Sequence, residues 1–79
     1  MARRRVKLTF SPKLVTQPVI HQLGSRFAVV TNIRRADVTR EEGWVVLEIE
    51  GEPDDVERSL AWCAELGVRV DPVEGELAT

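Results

Sequence analysis

The chain has 79 residues, enough for one domain, and a domain of this size buries only about 60% of the surface its unfolded chain exposes. It is 43% hydrophobic and 30% charged with a formal net charge of -2, so it lacks the basic surplus of a general nucleic-acid binder. No apolar run reaches the ~18 residues of a membrane span, and the basic start MARRRVKLTF has no apolar core or cleavage site of a secretory signal. A single cysteine, Cys63, excludes an internal disulfide, a cysteine-only zinc site and a four-cysteine iron–sulfur cluster. The expected compartment is the cytoplasm, and no cofactor is expected.

In chain order, RRVKLTF alternates, with Val6, Leu8 and Phe10 on one side and Arg5, Lys7 and Thr9 on the other, as in a half-buried strand. SPKLVTQP reads as a loop. Thr16 is placed to cap a first helix, with Pro18 inside its first turn and Ile20, Leu23 and Phe27 at helical spacing. FAVVTNIRRADVTR is strand-like but polar in its middle, and EEG makes a tight turn. WVVLEIEGE is the clearest strand, with Val45, Leu47 and Ile49 on one face and Trp44, Val46, Glu48 and Glu50 on the other. A second helix follows. Pro53, Asp54 and Asp55 load its first turn, Val56, Leu60, Cys63 and Leu66 form its apolar stripe with Trp62 on the flank, and Gly67 caps it. VRVDPV is a short last strand. The whole chain, 1–79, is one domain with a core over about residues 4–73 and a frayed tail over 74–79.

The order β-α-β-β-α-β predicts a ferredoxin-like α+β fold, a four-stranded antiparallel sheet with two helices on one face. The opposite sheet face then carries Arg5, Lys7, Thr9, Trp44, Val46, Glu48, Glu50, Arg69 and Asp71. Trp44 and Val46 are its apolar members and are candidates for an oligomer or partner contact.

VVTNIRRADV, a short turn, and GWVVLEIEGEPDDVERSLAWCAELGVRVDPV together resemble the NIL domain over roughly Pro18 to Val73. That domain lies at the C-terminus of the ATPase subunits of methionine importers, and also occurs fused to ferredoxin modules and as short stand-alone proteins. Its name comes from an Asn-Ile-Leu signature in the second strand. Here the signature reads Asn32-Ile33-Arg34, so the third position departs. The resemblance implies a non-catalytic, regulatory domain that binds a small amino acid, methionine or a related sulfur compound, as a homodimer. Thr31, Asn32, Ile33 and Arg34 would line the ligand site, with Ile33 as an apolar wall and Arg34 as a two-pronged carboxylate partner. The alternative is a protein-interaction accessory of sulfur metabolism or of an ABC transporter, with no ligand of its own, docking through Trp44 and Val46.

Each candidate residue also has a purely structural reading. Asn32 can satisfy irregular backbone at a bulge, and Arg34 and Arg35 can be solvated charges guarding a strand edge. Arg3, Arg4 and Arg5 read as a solvated basic arm. No Gly-x-x-x-x-Gly-Lys-Ser/Thr loop is present, so nucleotide hydrolysis by that chemistry is excluded. An RRM would stack bases on aromatics of its central strands, and here only Trp44 is available. One histidine, His21, is a boundary residue rather than a metal site, and Cys63 belongs to a core stripe rather than to a nucleophile.

Overall fold

The computed structural model describes residues 1–39 and 41–73. Along the chain run β1 (Ala2–Phe10), α1 (Val19–Arg26), β2 (Val29–Val38), β3 (Gly43–Gly51), α2 (Pro53–Leu66) and β4 (Arg69–Pro72). The strands form one antiparallel sheet in the order β2-β3-β1-β4. This is the ferredoxin-like arrangement expected from the element order. The predicted tail, 74–79, lies outside the described residues.

Alternation decides which side of each strand is buried. In register, Val6 faces Leu47 and Leu8 faces Val45 across β1–β3, while Leu8 also faces Val70 of β4. These side chains, with Phe10 and Ile49, meet Val19 and Leu23 of α1 and Val56, Leu60 and Cys63 of α2 in a single core. Ser59 is also inward and fully buried, and its hydroxyl donates to the Val56 carbonyl at 2.8 Å, which removes the penalty of burying it. Leu66, expected in the stripe, is exposed at the helix end.

Two local expectations changed. α1 begins at Val19, with Pro18 in the cap position and no side-chain cap bond, while Thr16 lies exposed in the preceding turn. The chain from Ser11 to Gln17 is instead held by backbone bonds, Leu14 and Val15 N–H to the Ser11 carbonyl and Gln17 N–H to the Leu14 carbonyl. The basic arm is not an arm. β1 starts at Ala2, and Arg3, Arg4 and Arg5 all pair with carboxylates: Arg3 with Glu50 and Arg5 with Glu48 on β3, Arg4 with Glu57 on α2.

The ends of α2 follow its sequence. Pro53 opens it, Asp54 and Asp55 sit at the positive end of its dipole, and Gly67 closes it at φ +101°. From that conformation the N–H groups of Gly67 and Val68 reach the carbonyls of Ala64 and Cys63. Gly67→Ala forces a Cβ into left-handed backbone. The expected cost is about 1 kcal/mol, read as a fall in Tm of about 4–8 °C by thermal denaturation, with the fold retained.

Candidate functional site

β2 is the element that carries the signature, and it is an edge strand. Among the described residues it pairs only with β3, and after Val29 and the half-buried Thr31 every residue from Asn32 to Val38 is exposed. The β2–β3 ladder slips between Ile33, opposite Leu47, and Arg35, opposite Val46, so Arg34 is the extra residue of a bulge. A bulge bends the strand and re-aims its side chains. The predicted site residues therefore divide. Thr31 and Ile33 point to the helix side, opposite Ile49 and Leu47, whereas Asn32 sits on the outer face opposite Glu48, and Arg34 has no ladder partner.

The outer face around Asn32 is organised by charge. Glu48 lies between Arg5 on β1 and Asn32 on β2, each its direct cross-strand partner. Arg5 donates to the Glu48 carboxylate at 2.5 Å, and both side chains are largely covered. That hydrogen bond holds the Glu48 carboxyl below its ordinary range against the opposing effect of burial, with further help from the charges of Arg5, Arg34 and Arg3. One residue-pair further along, Arg3 bonds Glu50 at 3.1 Å. Arg3, Val30, Thr31, Asn32, Glu48 and Glu50 line an open depression of about 280 Å³. It brings Thr31 and Asn32 together with three charged residues, and leaves Ile33 and Arg34 beside it on the strand.

Glu48 and Glu50 read from the sequence only as an exposed strand face. Their place beside Asn32 depends on strand register, which the alternation of each strand separately does not fix. The signal within reach was the matched alternation of Arg3/Arg5 and Glu48/Glu50, two basic and two acidic positions at the same spacing.

Trp44 and Val46 lie on the same outer face. Val46 is only 7% exposed, flanked in register by Lys7 and Arg35, and Lys7 Nζ lies 5.2 Å from the Trp44 ring centroid. The large apolar side chains that stay open on the sheet are those of β2: Val30 at 66%, Ile33 at 54% and Val38 at 58% exposed.

Other sequence candidates resolve into local roles. His21 is exposed on α1, with the Ser25 hydroxyl 3.4 Å from its Nε2 and donating to its carbonyl. Cys63 is fully buried, and burial pushes its thiol up to about 11, which disfavours a thiolate. Among the described residues no cluster of three metal-ligating side chains occurs, and no helix is long and apolar enough to cross a membrane.

A four-stranded antiparallel sheet in the order β2-β3-β1-β4 with two covering helices defines the chain as a ferredoxin-like α+β domain. Within that class the NIL domain family matches residues 4–72, and the chain belongs to it. A similar solved structure is the C-terminal domain of an ABC transporter ATP-binding protein from Enterococcus faecalis, with a TM-score of 0.78, 17% identity, and coverage of 92% of this chain and 86% of that one. No curated protein matches the chain.

The depression predicts an acid-sensitive fold. A carboxyl whose pKa is lowered on folding stabilises the folded state above its unfolded pKa, and that contribution is lost as pH falls through the folded value. Tm is therefore expected to drop below about pH 4.5, the ordinary range of a glutamate, and a Glu48→Gln variant should show a shallower drop over the same interval, measured by thermal denaturation between about pH 2 and 7.

Proposed function

We propose that the chain is a non-catalytic, cytoplasmic regulatory domain that binds a small amino acid at β2 and acts as a homodimer. The observation that supports this reading most is the depression beside Asn32, which offers both signs of charge on the signature strand. A free amino acid carries a carboxylate and an ammonium on one carbon. The Asn32 amide and the Arg34 guanidinium are suited to the carboxylate, and the Glu48 and Glu50 carboxylates to the ammonium. Exposed Val30, which lines the depression on the same outer face, offers an apolar contact for a thioether or similar side chain, whereas Ile33 points to the helix side. Membership of the NIL family makes methionine or a related sulfur compound the first ligand to try, and the likeness to an ABC transporter domain makes a transporter or a sulfur-metabolism protein the first partner to seek.

The homodimer reading draws on the same strand. A ten-residue edge with open backbone groups and exposed apolar side chains is a template for pairing with another chain. Ligand binding next to that edge would favour one arrangement of two copies and report amino-acid concentration by linkage. The alternative of a ligand-free docking module through Trp44 and Val46 has less open surface to work with, since Val46 is covered.

L-methionine, then homocysteine and cysteine, titrated into labelled protein should give saturable NMR shifts at Thr31 to Arg35, weakened at least about tenfold in Asn32→Ala. A spectrum unchanged to about 10 mM of each retires the amino-acid reading. The dimer is tested separately by sedimentation. Val30→Lys combined with Ile33→Lys places charge along the edge, and should convert a dimer to a monomer with little change in the folded content by circular dichroism. A wild-type chain that sediments as a monomer at about 100 μM overturns the dimer reading.

A further inference from the structure

Alternation and register set the outer side chains in rows across the four strands. Arg3 lies opposite Glu50, and Arg5 opposite Glu48, across the central strands β1 and β3. The next row runs Arg35, Val46, Lys7 and Asp71 from β2 to β4. The last runs Asp37, Trp44, Thr9 and Arg69.

The signs of charge invert about the line midway between β1 and β3. On the central strands the acids Glu50 and Glu48 are level with the bases Arg3 and Arg5. The edge strands follow the same rule, with Arg35 on β2 level with Asp71 on β4, and Asp37 level with Arg69. The central inversion follows from ion pairs within one chain. The inversion at the edges does not. Three strand spacings, about 14 Å, separate β2 from β4, beyond the reach of a direct ion pair. Arg69 does bond Asp71 along β4, at 3.1 Å. That pair would form equally with its two signs exchanged, so it does not explain their order.

A pattern that inverts about a line in its own plane is complementary to a second copy of itself. A half-turn about an axis along that line, between two facing sheets, sets β1 of one copy over β3 of the other, and β4 over β2. Arg3 and Arg5 of one copy then meet Glu50 and Glu48 of the other. Arg35 meets Asp71, and Asp37 meets Arg69. No charged residue meets its own sign at its own level. The strands of the two sheets stay aligned, a usual packing of twisted sheets about 10 Å apart.

We propose that the outer face of the sheet pairs with the outer face of a second copy in this two-fold arrangement. Four strands and four rows cover about 19 by 27 Å, so two copies bury on the order of 1,000 Å². That is the lower end of specific interfaces, and the face offers little open apolar surface. The charges therefore choose the partner and its orientation, and the association is weak and salt-dependent. This contact is distinct from pairing along the β2 edge and stands without it. It covers the depression lined by Arg3, Asn32, Glu48 and Glu50, so a ligand held there competes with the second copy.

Sedimentation equilibrium of the full chain from about 10 to 500 μM tests the proposal. The expected result is a reversible dimer with Kd on the order of 100 μM at about 50 mM salt, weakened at least about tenfold at about 500 mM. Asp37→Arg sets like charges against Arg69 of the other copy and should weaken the dimer at least about tenfold, as should Arg69→Asp. The double variant should restore it, because these positions meet only between copies. Both residues are exposed, and circular dichroism checks that the variants keep the fold. Ile33→Lys charges the β2 edge on the helix side and should leave the association unaltered. A chain that stays monomeric at low salt, an association indifferent to salt, or a double variant no better than the single ones would each overturn the proposal. Loss of the dimer in Ile33→Lys would also overturn it, and would assign the pairing to the edge.

Discussion

Two helices cover one face of a four-stranded sheet, and they do not cover all of it. α1 has eight residues and α2 fourteen, and the core they close lies over β1, β3 and the start of β2. Beyond Thr31 the helices do not bury β2, and the helix-side residues Ile33, Ala36 and Val38 are exposed. This shortfall shapes everything of interest in the molecule. Among the described residues it leaves the outer edge of a ten-residue strand unpaired, and it exposes the signature strand on both faces. A small domain that must bury most of its apolar residues to fold would gain stability from a longer helix here. The open strand is the part of the surface that a partner or ligand could complete.

The outer face meets a different constraint. With no helix layer above it, its side chains must remain compatible with water, yet the pleat holds cross-strand neighbours close together. Opposite charges in register satisfy both demands, as Arg3 with Glu50 and Arg5 with Glu48 do. Exposed pairs of this kind add little to stability, so Arg3–Glu50 is better viewed as solubility and register than as strength. Arg5–Glu48 is less exposed and sits against Asn32, where a carboxylate held ionised fixes the field that any approaching ligand meets.

Much of the fold was legible in the sequence because it rests on local rules. Val6/Leu8/Phe10 and Val45/Leu47/Ile49 announce their strands by alternation, and Pro53, Asp54, Asp55 and Gly67 mark both ends of α2 by requirements that do not depend on the rest of the chain. The start of α1 was misplaced because Thr16 and Pro18 form an acceptable cap signal, while the turn from Ser11 to Gln17 is fixed by backbone bonds that no residue type announces. Arg3 to Arg5 resembled a solvated arm because a basic run has that meaning when its partners are unknown, and those partners are 43 to 53 residues away. The site beside Asn32 was half legible: the strand could be found, but the carboxylates opposite it follow from register, and the bulge at Arg34 from neither.

That bulge bears directly on the departure from the family signature. In an unbroken ladder the residue after Ile33 would point to the outer face directly opposite Val46, and a leucine there would add to the apolar surface. In this chain the third signature position is the one residue of β2 without a partner on β3, so its side chain is not confined to a row. A long charged side chain suits such a place, because its head can reach water while its stem crosses the edge. Arg34 contributes to keeping Glu48 ionised, so its charge is felt on the outer face despite the missing ladder partner. Arginine at this position thus exchanges an apolar contact for a positive field beside Asn32. A ligand that kept its carboxylate would be favoured by that exchange, and one recognised chiefly by its apolar side chain would not.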